Sequence, residues 1–230
     1  MKLIKLYKNF KIDSICTRYG IKNYTINSDG TVDVDGDVSL SSCKLTKLPL
    51  KFGKVSGNFF CNFNKLTSLE RSPKSVGGNF NCYSNKLTIL EGCPRSVGGN
   101  FHCGNNNLTT LEGMTKSVGS HFNCSDNRLI SLKGCPKSVG GHFYLMNNHL
   151  EDLYGFTEFF DGSIYHHDNP VSEILYLFKN VKLGKVIDLI NEYDVIQQDG
   201  KLVILDRLEE VFHTLNMKIP EINLKNYEVY

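Results

Sequence analysis

The chain repeats itself every 21 residues, and this period constrains its fold more than any other feature. One column of the repeat reads Cys43, Asn64, Asn85, Asn106, Asn127, Asn148, Asn169. Two residues later stand Leu45, Leu66, Leu87, Leu108, Leu129, Leu150, Val171. Three further on come Leu48, Leu69, Leu90, Leu111, Leu132, Leu153, Ile174. Another column reads Val55, Val76, Val97, Val118, Val139, Phe160. A unit this short cannot bury an apolar face alone, but stacked copies can. The period therefore predicts a solenoid of seven turns over residues 37–175.

Within each turn the strand residues alternate between faces. Phe80 and Cys82 are expected to point inward, and Asn79, Asn81 and Tyr83 outward. Asn suits the point where the strand turns away, because its amide both donates and accepts and can satisfy the backbone of adjacent turns. Gly77 and Gly78, repeated as Gly98 and Gly99, are expected to allow a tight return on the convex side.

Cys61, Cys82, Cys103 and Cys124 recur at one point of the repeat. Metal binding would need clustered thiolates with tetrahedral access, which a flat ladder inside a core does not offer. Leu40 and Leu145 occupy the same column, so the position reads as packing for a small apolar side chain. Cys93 and Cys135 share a column with Ser72, Met114 and Phe156, again a packing pattern. Cys16 lies outside the repeats and is the one candidate catalytic thiol, with no base placed beside it by sequence. No secretory signal and no apolar run of about 18 residues is found, which points to a cytoplasmic protein with reduced thiols. No metal and no cofactor is expected.

The unit F-x-C-x-x-N-x-L-x-x-L resembles the leucine-rich repeat, with Phe and Cys in place of two strand leucines. That pattern accepts Asn or Cys at the ladder position, so Cys43 fits it. The link "EGCPRSVGG" resembles the proline-containing link of the short bacterial repeats, one residue longer. The resemblance covers about 60% of the chain. It implies an α/β repeat solenoid, an arc with a parallel β-sheet on a concave face that binds a partner. Residues 1–36 would form an N-terminal cap, with a helix near residues 7–20 and a hairpin around Asp29-Gly30. Residues 37–175 would form the seven repeats. Residues 176–230 would form a C-terminal cap of helices, because "VSEILYLFKN", "KVIDLINEYDV" and "ILDRLEEVFHTLNM" carry apolar residues at three- and four-residue spacing.

The outward strand positions then define the candidate partner-binding face: Phe60, Asn81, Tyr83, His102, His121, Asn123, His142, Tyr144, Met146, Tyr165 and His167. This set is aromatic, amide and imidazole, with almost no formal charge, as interface cores are. Tyr83, Tyr144, Met146 and Tyr165 are the expected anchors. The four histidines could hold a metal or respond to pH, the metal being disfavoured because no carboxylate or thiol is guaranteed beside them. Elsewhere, Lys74, Arg95, Lys116 and Lys137 form a basic stripe, and Glu70, Glu91 and Glu112 an acidic one that offsets part of its self-repulsion.

The net charge of +2 selects no acidic or basic partner. The expected function is a non-catalytic protein-binding module, not an enzyme. Similar repeats occur in bacteria and large-genome phages, which would make the partner a host protein such as a defence factor. One alternative is an effector that joins such repeats to a ubiquitin-ligase domain with a nucleophilic Cys, a domain for which 230 residues leave too little length. Another is glycan or nucleic-acid binding, with nucleic acid disfavoured. No membrane partner is expected, and self-association is left open.

Overall fold

The computed structural model describes residues 2–157, 159–178, 180–197 and 200–230. Its body is a β-solenoid of parallel strands at 21-residue spacing. Phe59 pairs with Phe80, Phe80 with Phe101, Phe101 with Phe122 and Phe122 with Phe143. Among the described residues this sheet has seven strands, from Val38–Ser39 to Ile164–Tyr165, hence six steps of the repeat.

The expected arc carries one sheet; the molecule carries two. Ser75–Val76, Ser96–Val97, Ser117–Val118 and Ser138–Val139 form strands of a second parallel sheet on the return side of each turn. Among the described residues it has eight strands. The hairpin Tyr24–Ile26 with Val32–Val34 closes one edge, and Phe159–Phe160 forms the other. The four Ser-Val strands are two residues long, too short to show an alternation in sequence. They form because an identical backbone segment lies above and below each one, so every ladder bond finds a partner.

The core lies between the sheets. Phe59, Phe80, Phe101, Phe122 and Phe143 are fully buried, and successive ring centroids are 5.8, 5.1, 6.1 and 5.6 Å apart. The first pair is stacked within 9°, and the other three meet tilted or edge-on. The cysteine column and the two leucine columns are buried with them, except Leu45 in the first turn, which is half-buried.

Along one side of the core runs the asparagine column. The Leu87 N–H donates to Asn106 Oδ1 at 3.0 Å. Asn106 Nδ2 donates to the carbonyls of Cys82, Cys103 and Gly104 at 3.1, 3.0 and 3.1 Å. The same four bonds recur at Asn127 and Asn148. Cys43, in the first turn, is exposed, and its thiol donates to the Ser41 carbonyl at 3.4 Å, the counterpart of one of these four bonds.

The paired glycines serve close approach between turns rather than a left-handed return. A Cβ on Gly77, Gly98, Gly119 or Gly140 would lie 2.1, 2.2, 2.0 or 2.4 Å from a backbone oxygen of the preceding turn. The left-handed residue of the return is Arg71 in the first of these turns, at φ +76°, and a glycine after it: Gly92, Gly113, Gly134 and Gly155 have φ of +86°, +83°, +87° and +81°.

Among the described residues helices occur only at the ends. Helix α1, Lys2–Arg18, starts earlier than expected; its Ile12 and Ile15 pack on the core and its Cys16 is part of it. Beyond the last turn come α2 (Ser172–Leu175), α3 (Leu183–Glu192) and α4 (Leu205–Thr214). Leu202–Val203 pairs in parallel with Glu228–Val229, bringing the C-terminal segment back onto this cap. Glu173 fixes that segment by accepting from the Lys225 and Asn226 N–H groups at 2.8 and 3.0 Å. No helix of the described residues is long and apolar enough to cross a membrane.

Gly119→Ala is expected to destabilise the fold by about 2 kcal/mol, the usual cost of overpacking. The backbone atom that the new methyl meets, the Gly98 carbonyl oxygen, cannot swing aside as a side chain would. Urea denaturation checks this; an unchanged midpoint would remove the close-approach account.

Candidate functional site

The predicted residues lie on the outer face of the seven-stranded sheet. Register places Phe60 beside Asn81, Asn81 beside His102, His102 beside Asn123, Asn123 beside Tyr144 and Tyr144 beside Tyr165. These side chains are half-buried, except Tyr165, which is 42% exposed. Tyr83 and Met146 are half-buried and His167 is exposed, its Nδ1 bonded to Asp168. Ser125 Oγ donates to Met146 Sδ at 3.5 Å.

At the C-terminal end of the face the rings assemble. Tyr144 and Tyr165 stack with centroids 4.8 Å apart and planes within 5°. His121 and His142 stack at 4.7 Å and 3°. The two stacks meet nearly at right angles, His142 lying 6.3 Å from Tyr144 and 5.9 Å from Tyr165. Four rings on three adjacent turns thus make one uncharged aromatic patch.

A ladder of side chains holds this edge of the sheet. Asp37 Oδ1 accepts from the Asn58 N–H at 2.6 Å, Asn58 Oδ1 from Asn79 at 2.8 Å and Asn79 Oδ1 from Asn100 at 2.7 Å. Asn100 Oδ1 accepts from His121 at 3.0 Å. The next acceptors are imidazoles: His121 Nδ1 takes the His142 N–H and His142 Nδ1 the Ser163 N–H, both at 2.9 Å. The two histidines therefore carry structural bonds as well as facing outward.

Phe63 belongs to the N-terminal end of the face, and reading outward strand positions missed it. It is 55% exposed and its ring meets Tyr83 edge-on at 5.7 Å. Its backbone is left-handed, φ 55°, like Ser84, Asn105, Asp126, Asn147 and Asp168 in the same column. Asn and Asp tolerate that conformation; a bulky aromatic seldom does. A Phe in a column of Asn, Asp and Ser was the available signal.

A long groove lies over the other sheet, with a volume of about 1790 Å³. Its floor is the serine row Ser75, Ser96, Ser117 and Ser138 with the adjoining glycines. Asp33, Asp35 and Lys54 bound one end, and Phe159, Lys182 and Lys185 the other. The candidate residues named from sequence are on the opposite sheet and do not line this groove.

Burial favours the neutral form of several thiols and imidazoles. Burial pushes the Cys61 thiol up to about 12. Cys16 is pushed up to about 11, first by burial and then by the charge of Asp13. His102 is lowered below the usual imidazole range by burial and then by His121; His166 is lowered by burial and then by His167. Among the described residues no group of three or more His, Cys, Asp or Glu side chains is arranged to hold a metal ion. No protein-family model, curated protein or solved structure matches the chain.

Two outcomes follow. A soluble thiol reagent at neutral pH should label Cys43, which is exposed, and leave Cys16 unmodified in the native protein; peptide mapping reads this, and fast labelling of Cys16 would contradict the burial argument. The second concerns pH. Because His102 and His166 are lowered in the fold, the unfolded chain binds more protons below the ordinary histidine value of about 6.5. Their stabilising contribution is complete above that pH and is lost as pH falls towards the folded values. Urea midpoints from about pH 8 to 5 should decline on the acid side. His102→Asn, matching Asn81 and Asn123 of the same column, should flatten part of the decline.

Proposed function

We propose that this chain is a non-catalytic protein-binding module of the leucine-rich-repeat kind, working through the outer face of the seven-stranded sheet. The observation that carries the reading is the uncharged patch formed by Tyr144, Tyr165, His121 and His142. Aromatic groups with polar tips supply large contact area and a hydrogen bond at the rim, which is why they dominate interface hot spots. Ladder bonds and stacking hold the rings in place before any partner arrives, so little ordering entropy is lost on binding. Phe60, Phe63 and Tyr83 give a second aromatic group at the other end, with Asn81, His102 and Asn123 between. The repeat pattern of Asn and Leu columns supports the leucine-rich-repeat kinship. Its resemblance to phage and bacterial repeats makes a host protein, such as a defence factor, the partner we propose. Cys16 offers no support for the effector-enzyme alternative, being buried with its thiol held protonated.

A second reading rests on the groove. A neutral floor of hydroxyls repeating at the strand spacing of about 4.8 Å suits a polymer that repeats too, and a glycan chain is the class we favour there.

Affinity capture from host lysate, followed by titration of the recovered protein, tests both. Tyr144→Ala with Tyr165→Ala should weaken the purified complex by about 30-fold or more, as loss of a hot spot does. Retention of full affinity by that variant would sink the face. Binding on a glycan array that is abolished by Ser117→Arg, and untouched by the tyrosine changes, would move the function to the groove.

A further inference from the structure

The side-chain ladder changes its chemistry partway along. From Asp37 to Asn100 every acceptor is an oxygen. At His121 and His142 it is an imidazole nitrogen, and each Nδ1 faces a backbone N–H at 2.9 Å. A nitrogen that accepts cannot carry a proton, so the geometry requires both rings to be neutral with hydrogen on Nε2. An amide oxygen in this role is indifferent to pH; an imidazole changes charge between about pH 5 and 8.

The surroundings allow no easy alternative. A proton on either Nδ1 would set a donor against a donor. There is little space behind the rings: a Cβ at Gly141 would lie 2.5 Å from His121 Nδ1, and one at Gly162 2.9 Å from His142 Nδ1. The rings stack face to face at 4.7 Å, so two protons would oppose like charges at contact. The titratable groups facing them are His102, whose own charge His121 disfavours, and the phenols of Tyr144 and Tyr165. Asp168 on the same face is engaged by His167. Among the described residues no ion pair joins either ring to a carboxylate.

We infer that the His121–His142 pair is a pH switch built into the partner-binding face. Neutral imidazoles keep the ladder and the tyrosine stack in place; protonation breaks two consecutive rungs and unseats the rings that pack against them. The inference rests on the reading of this face as the binding surface, and its test needs no partner.

Nitrogen-15 NMR of the isolated protein at about pH 7.5 should find both histidines as the Nε2–H tautomer. Lowering the pH to about 5 should cost the amides of His142 and Ser163 about tenfold in exchange protection, beyond the intrinsic pH effect, the scale of one lost hydrogen bond. His121→Asn with His142→Asn extends the rung found at Asn58, Asn79 and Asn100 and should keep that protection throughout. An Nδ1–H tautomer at the higher pH, or equal loss in both proteins, overturns the switch. If the face itself is not the binding surface, the tyrosine variant keeps its partner while these amide data stand unchanged, so the two failures are distinct.

Discussion

The structure depends on a primary amide repeated once per turn, half-buried at Asn64 and Asn85 and buried from Asn106 onward. Each asparagine from 64 onward uses its oxygen to take a backbone N–H 19 residues earlier and its nitrogen to reach a carbonyl 24 residues earlier. It also caps two carbonyls of its own strand end. One side chain thus closes the corner of its own turn and ties it to the one before. Without it, a backbone N–H and several carbonyls would be left inside the protein without partners, at about 1–3 kcal/mol each. A one-residue insertion would put the amide out of reach of both neighbours, which is why the period holds at 21 through the column.

Other columns follow from stacking turns at strand spacing. Wherever the side of a turn meets the carbonyl of its neighbour, no Cβ fits, and Gly77, Gly98, Gly119 and Gly140 result. Where the return swings left-handed, four of the five positions are glycine, Gly92, Gly113, Gly134 and Gly155, and the first is Arg71. The phenylalanine and cysteine columns fill the space between the sheets as a large and a small apolar side chain in alternation. The thiols are inert there because burial disfavours the thiolate.

The period, the inward Phe, Cys and Leu columns, the hairpin at Asp29-Gly30 and the terminal helices were all legible in sequence, because each is a repeated apolar spacing or a known turn chemistry. The second sheet was not. "SV" carries no period of its own, and what makes it a strand is the copy above and below. The outward position of Tyr144, Tyr165, His121 and His142 followed from alternation, but the Nδ1 bonds of the two histidines did not. Alternation assigns a face and says nothing of which backbone groups a side chain will satisfy. Phe63 escaped for a related reason: it sits past the strand end, where conformation and not alternation sets direction.

The repeats within one chain also compare themselves. Columns that satisfy backbone or fill the core barely vary: Asn from 64 to 169, Leu at 66, 87, 108, 129 and 150. The floor of the groove is equally uniform, Ser75, Ser96, Ser117 and Ser138. The outer face of the seven-stranded sheet is not: Phe60, Asn81, His102, Asn123, Tyr144 and Tyr165 run through one register column, and Tyr83, Gly104, Ser125, Met146 and His167 through the next. A uniform surface offers the same contact at every turn and so fits a repeating ligand or none. A varied one presents a different group at each step, and only a partner with its own non-repeating surface can match it. The scaffold tolerates that freedom because its bonding is satisfied elsewhere, by the amide column behind and the ladder beside. Where the ladder itself turns from amide to imidazole, at His121 and His142, structural bonding and the variable face coincide.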